Sequence, residues 1–313
     1  MNGFLGIDTS NYTTSCAVYR DGEIHQQKRL LPVPKGQLGL RQSDAVFSHV
    51  KALGDLMEKL MAEDHGPLAA VGVSQAPRDV EGSYMPCFLM GLSAAQTAAA
   101  ALHVPLYRFS HQAGHVAAAL YGSKRLDLLE ERFLAFHLSG GTTECLLVDS
   151  LPEGRISRLS VTNDLNAGQV VDRVGGMLNL AFPAGPALEA LALTSEKRYK
   201  PRIAFTNGNP CLSGVENQCR TMLNRGEAPC DIARFCLDSV LSALTGMADS
   251  AREQTGLCTM LFAGGVMSNT IIREAIEARF GGIFAPPVFS SDNAAGIAVL
   301  TAYRHQKTAE SNR

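Results

Sequence analysis

The sequence predicts an α/β protein of two duplicated lobes, and three observations carry that prediction. One hairpin occurs twice. Shifted by 129 residues without a gap, Phe4, Leu5, Ser10, Thr13, Thr14 and Cys16 fall on Phe133, Leu134, Ser139, Thr142, Thr143 and Cys145, six identities in thirteen positions. Asp21-Gly22 turns the first copy and Glu153-Gly154 the second, and so long a repeat marks a copied domain rather than a solenoid. Strand-length apolar runs are followed by helical patterns along the chain. A chain of 313 residues makes two domains of ordinary size.

Each element has its own warrant. Residues 4 to 24 read as the first hairpin, with a hydroxyl-rich turn from Asp8 to Thr14. Residues 44 to 62 read as an amphipathic helix with Val46, Phe47, Val50, Leu53, Leu56, Met57 and Leu60 on its apolar side. Leu68 to Ser74 is a buried strand, 86 to 102 an alanine-rich helix opened by Pro86, and Val104 to Phe109 another strand. Ser110 is an N-cap for a helix to Leu120. That helix carries His111 and His115, whose spacing of four puts both on one face. They can share a metal ion, and two ordinary histidines show the same spacing. Position 112 is Gln, so the base of a His-Glu-x-x-His protease is missing.

The second hairpin starts at Phe133 and turns at Ser139-Gly140-Gly141, where the absence of Cβ atoms lets several N–H groups face one anion. Residues 167 to 181 and 187 to 193 read as helices around the Phe182-to-Pro186 turn. Lys197, Arg198, Lys200 and Arg202 surround Tyr199, as an RNA-backbone contact or as a solvated loop. A long helix spans 231 to 254. Met260 to Ala263 is a strand running into Gly264-Gly265, with Ser268 or Asn269 capping the helix 270 to 280. This is either a nucleotide cradle or a plain strand–turn–helix. Asp292 stands before a small-residue helix, 294 to 304, where it can serve as an N-cap, and the chain from about His305 reads as frayed.

Composition narrows the class. A formal net charge of −2 leaves any nucleic-acid contact to a local patch. The eight cysteines show no Cys-x-x-Cys spacing, which argues against a zinc ribbon and fits a reducing compartment. No apolar run spans a membrane and the start lacks a basic leader, so the expectation is a cytoplasmic protein without a signal peptide or membrane contact.

Seven motifs in order resemble one family. They are Gly6-Ile7-Asp8-Thr9-Ser10, His111 to His115, Ser139-Gly140-Gly141-Thr142-Thr143, Ala167 to Arg173, Phe182 to Pro186, Ala263 to Asn269 and Ser291 to Ala295. Together they resemble the tRNA threonylcarbamoyladenosine transferase family (TsaD), once labelled O-sialoglycoprotein endopeptidase. That family lies within the actin, sugar-kinase and heat-shock-chaperone superfamily. The resemblance implies a duplicated, two-lobed actin-like ATPase (ribonuclease H-like) fold with a nucleotide cleft between the lobes. Residues 1–125 with 295–313 would form one lobe and 126–294 the other. It implies one divalent metal, iron or zinc, on His111, His115 and Asp292. It implies an adenine nucleotide, threonylcarbamoyl-AMP or ATP, on His137, Leu138, Ser139, Gly140, Gly141, Asp172, Gly185 and Asn269, with Asp172 on a ribose hydroxyl. The implied activity is acyl transfer to N6 of the adenosine beside the tRNA anticodon, with the other threonylcarbamoyladenosine-synthesis proteins as partners. It singles out no catalytic side chain.

The chain departs from the family pattern at five places. The family's Glu-Thr-Ser-Cys-Asp-Glu is Asp8-Thr9-Ser10-Asn11-Tyr12-Thr13 here, with two acids gone. Its Gly-Pro-Gly is Ala76-Pro77-Arg78, the His of Ser-Gly-Gly-His-Thr is Thr142, its Gly-Glu is Gly168-Gln169, and its Phe-Ser-Gly-Leu-Lys ends in Glu216. Two alternatives stand beside the transferase: a non-catalytic nucleotide- and metal-binding paralogue, and an ATP-dependent carbamoyltransferase or kinase with a small-molecule acceptor.

Overall fold

The computed structural model describes residues 2–32, 40–63, 66–290 and 293–311. It divides into two units: Met1–Glu131 with Asp149–Ile156 and Val288–Arg313, and Arg132–Val148 with Ser157–Pro287. Among the described residues no helix is long and apolar enough to cross a membrane.

The first unit begins with β1 (Gly3–Thr9), β2 (Thr13–Arg20) and β3 (Glu23–Leu30), an antiparallel meander. Then come α1 (Gln42–Met61), β4 (Leu68–Ala76), α2 (Phe88–Leu102), β5 (Leu106–Ser110) and α3 (His111–Gly122). The strand order is β3-β2-β1-β4-β5, with β4 parallel to both β1 and β5. Strand alternation sorts the two faces. Leu5, Ile7, Val71 and Val73 point to the side where Leu53, Leu56, Leu60, Ala95 and Ala99 of α1 and α2 pack.

The sequence reading placed α1 correctly and turned its face. Phe47 and Val50 are 60% and 53% exposed, while Ala45, His49, Ala52, Leu53, Leu56 and Leu60 are buried. His49 occupies a core position because Thr14 Oγ1 meets its Nδ1 at 2.8 Å. Burial pushes its pKa below the ordinary value, partly offset by the Ser10 backbone and the charge of Asp8. The unfolded chain therefore takes up this proton near pH ~6.5 while the folded chain resists it. Stability from this group is complete above that pH and is lost as pH falls below it. Urea unfolding of the native chain and of His49→Gln between pH ~7.5 and ~5 checks this, the variant losing stability less steeply, by up to about 1.4 kcal/mol per pH unit.

The second unit repeats the plan with β6 (Phe133–Leu138), β7 (Thr143–Ser150) and β8 (Arg155–Val161). Next are α4 (Ala167–Met177), α5 (Gly185–Leu193), the small hairpin β9 (Ala204–Thr206) and β10 (Asn209–Cys211), and α6 (Ser213–Asn224). The series continues with α7 (Pro229–Thr255), β11 (Met260–Ala263), α8 (Thr270–Phe280) and β12 (Ile283–Phe284). Its sheet runs β8-β7-β6-β11-β12, the order of the first sheet element for element, which bears out the duplication. Phe136 and Phe262 stack at 4.8 Å at the centre of its core.

The chain then returns to the first unit as α9 (Ala295–Ser311). It lies on the sheet face that carries Gly6 and Gly72. A Cβ at Gly6 would stand 2.5 Å from Ala298 N, and one at Gly72 would collide with Thr301 Oγ1. The frayed end expected from His305 is instead helix to Ser311. The His305 ring packs on Phe4 at 5.6 Å and Tyr107 at 6.3 Å, and Lys307 pairs with Glu130. Likewise α4 stops at Met177, not 181, where Asn179 takes φ +59°.

Candidate functional site

Two groups of residues stand out, one in each unit. In the first unit, the carboxyl ends of parallel β1 and β4 deliver Asp8 and Ser74, and β5 runs straight into α3. Ser110 Oγ accepts from Ala113 N at 3.0 Å, the N-cap expected from sequence, and donates to Asp79. The cap fixes the first turn, so His111 and His115 lie side by side with ring centroids 4.4 Å apart and Nε2 atoms 3.0 Å apart. His111 Nδ1 is 2.9 Å from Asp8 Oδ1, which also accepts from Ser74 Oγ. Asp8 is fully buried.

Two nitrogens each 2.0–2.1 Å from one tetrahedral ion stand roughly 3.3 Å apart. The His111–His115 geometry fits two such ligands, with the second nitrogen of His111 oriented by a carboxylate as metal-bound imidazoles are. Among the described residues no group of three or more His, Cys, Asp or Glu is placed to hold a metal ion. Asp292, expected as the third ligand, lies outside the described residues. The start of α9 is held against α3 by two glycines. A Cβ on Gly296 would collide with Gly114 O and approach Ala118 N to 2.7 Å.

In the second unit a pocket of about 540 Å³ opens beside the Ser139 turn. Ser139, Gly140, Asp172, Gly185 and Asn269 line it, as do Gly168, Glu189, Gly265 and Ser268. Of the other expected nucleotide residues, Leu138 is a buried core side chain, the His137 ring lies against Gly264, and Gly141 is outside the lining. Gly264 itself is structural: its φ is +100°, and a Cβ there would collide with Leu138 O. By contrast, Cβ atoms at Gly140 and Gly265 would meet nothing within 4 Å, so packing does not demand glycine at either pocket position.

The turn is less open to anions than the sequence suggests. Ser139 Oγ accepts from Gly141 N at 3.2 Å and Thr142 N at 3.1 Å, and Ser139 N donates to Thr142 O at 2.7 Å. Helix α4 is sewn onto it: Gly168 N donates to Ser139 O and Ala167 N to Thr143 Oγ1. Gln169, where the family has Glu, accepts from Asn166 N at 3.0 Å, a capping-box role either residue fills. Asp172 Oδ1 accepts from Ala184 N at 2.8 Å, fixing the start of α5 on the pocket wall. Asn269 Oδ1 caps α8 at Ile272 N.

Sequence reasoning missed Glu189. It lies at the pocket with Oε1 accepting from both the N–H and hydroxyl of Thr270, so it ties α5 to α8. The available signal was its position four residues after Gly185, one turn along the helix opened there. The basic segment 196–202 is a loop anchored to α7. Lys197 pairs with Asp231 at 2.7 Å and Tyr199 N donates to Asp238, which also holds buried Arg234.

The profile of the family described as tRNA N6-adenosine threonylcarbamoyltransferase matches residues 33–299. A Thermus thermophilus protein of that name is 30% identical, over 97% of this chain and 93% of its own. A namesake from Herminiimonas arsenicoxydans is 29% identical over 96% and 92%. Among solved structures, component A of the Acidaminococcus fermentans (R)-2-hydroxyglutaryl-CoA dehydratase superposes with a TM-score of 0.58 at 18% identity, covering 99% of this chain and 100% of its own. HypF from T. kodakarensis gives 0.63 at 15%, covering 99% and 48%. These two likenesses show the actin-like fold. With the profile spanning most of the chain and relatives matched along nearly their whole length, the protein belongs to the tRNA N6-adenosine threonylcarbamoyltransferase family of transferases.

Proposed function

We propose that this chain transfers a threonylcarbamoyl group from threonylcarbamoyl-AMP to N6 of the adenosine beside the tRNA anticodon. The observation that carries the reading is the pocket, where Ser139, Gly140, Asp172, Gly185 and Asn269 come together on one wall system in a member of this family. The adenylate occupies it, with the ribose towards Asp172. N6 attacks the carbamoyl carbon, forming the N–C bond as the C–O bond to the phosphate breaks; AMP leaves, and the proton lost by N6 passes to solvent. Positioning supplies most of the acceleration. His111 and His115, with Asp292, hold a divalent metal, iron or zinc, which when bound supplies Lewis-acid stabilisation of negative oxygen. The other threonylcarbamoyladenosine-synthesis proteins are the expected partners, and the compartment is the cytoplasm.

The test is direct. The protein is incubated with threonylcarbamoyl-AMP, unmodified tRNA and those partners, and the nucleosides are read by mass spectrometry. Modified adenosine is expected, and Asp172→Ala should reduce it about 5–150-fold through weaker nucleotide binding, since a lost hydrogen bond to a ligand is worth about 1–3 kcal/mol. No product with any partner combination overturns the reading.

Tyr12 and Thr13 stand where the family carries two acids, and they favour a second reading: a paralogue that binds nucleotide and metal without turnover. Saturable nucleotide binding by calorimetry with no modified tRNA is its signature.

A further inference from the structure

We infer that Asp8 is a positioning residue for the histidine pair, setting which nitrogen of His111 is available as a ligand. This rests on the reading of His111 and His115 as metal ligands. It adds a role for a residue on a different element, which the expected ligand set does not contain.

Asp8 is at 0% exposure on β1, and the ion pair it makes among the described residues is with His111. A carboxylate is costly to bury unless its oxygens are hydrogen-bonded. Both identified donors, Ser74 Oγ–H and the His111 ring, converge on Oδ1. Oδ2 is also buried and has no hydrogen-bond partner. Packing alone does not account for such an arrangement, because an apolar residue of similar size avoids the cost. Orientation of His111 does account for it. With Oδ1 2.9 Å from Nδ1, the ring proton is held there, and Nε2 carries the lone pair on the side facing His115 Nε2 at 3.0 Å. Ser74, one strand over, fixes the rotamer of the carboxylate. Asp8 touches no reacting atom in this scheme and acts through His111.

Three measurements decide it, all on the full chain. Long-range proton–nitrogen NMR of the metal-free protein at pH ~8 should show His111 as the Nδ1–H tautomer, and an Nε2–H tautomer overturns the proposal without any variant. Cobalt(II) and zinc(II) affinities, measured by competition with a chromophoric chelator, should fall about 10–100-fold in Asp8→Asn. The metal-free thermal midpoint of that variant should be unchanged or higher, because a buried charge with an unpartnered oxygen is removed. A purely structural Asp8 gives the opposite pair of results, a lower midpoint with native metal affinity, and that pair overturns the inference. His111→Ala separates the two layers of the argument. Native affinity in His111→Ala removes the metal-site reading itself, whereas loss there with native affinity in Asp8→Asn removes only the role of Asp8.

Discussion

Gly168→Ala is expected to cost at least about tenfold in adenine-nucleotide affinity and about 1–3 kcal/mol of stability. The added Cβ would lie 2.6 Å from Gly140 N, 2.7 Å from Ser139 C and 2.8 Å from Gly140 Cα. All three are backbone atoms of the pocket turn, so no side chain can swing aside. The turn must shift or α4 must tilt, and either change breaks the Gly168 N to Ser139 O bond. Gly140→Ala is the matched control. Its Cβ meets no protein atom within 4 Å, so stability should stay within about 0.5 kcal/mol. A fall in affinity there reports a ligand at that spot. Calorimetric titration with ATP and thermal unfolding of both variants give the comparison; native binding by Gly168→Ala removes the turn from the site.

Gly296→Val should be more damaging still, at about 4 kcal/mol or beyond, a large share of the roughly 5–15 kcal/mol that holds an ordinary domain folded. Even the first added carbon collides with Gly114 O. Helices α3 and α9 would have to separate where His111 and His115 sit on either side of Gly114. Gly296→Ala should lie between, cost about 3 kcal/mol, and weaken metal binding in whatever folds. Gly54→Ala on α1, where a Cβ meets nothing within 4 Å, should instead stabilise by about 0.5–1 kcal/mol. Urea midpoints rank the three, and a Gly296→Ala chain as stable as the native one refutes the close-packing argument.

The sequence made the strands near each candidate site legible, because hairpin turns and caps are local signals. Ser110 and Asn269 cap helices three residues ahead, and both caps are present as expected. Elements stabilised from a distance were not legible. Strand β3 is a polar edge, Glu-Ile-His-Gln-Gln-Lys-Arg-Leu, and owes its form to pairing along all of β2. Helix α6 buries only Val215, Cys219 and Met222, and its first N–H groups are held by Asp164, 48 and 49 residues upstream. The face of α1 was misjudged for a related reason. Phe47 and Val50 are more apolar than His49, but tertiary packing gave the inward position to the residue that Thr14 can satisfy. At the sites, residue types marked the positions, but hydrogen-bond assignments did not follow from them. The hydroxyl of Ser139 consumes N–H groups that glycine alone would have left pointing outward.

Helix α9 has a further consequence for biosynthesis. It roofs β1, β2 and β4 of the first sheet, yet it is translated after every strand of the second unit. While the ribosome works through those intervening residues, the Gly6–Gly72 face of the nascent chain has no cover.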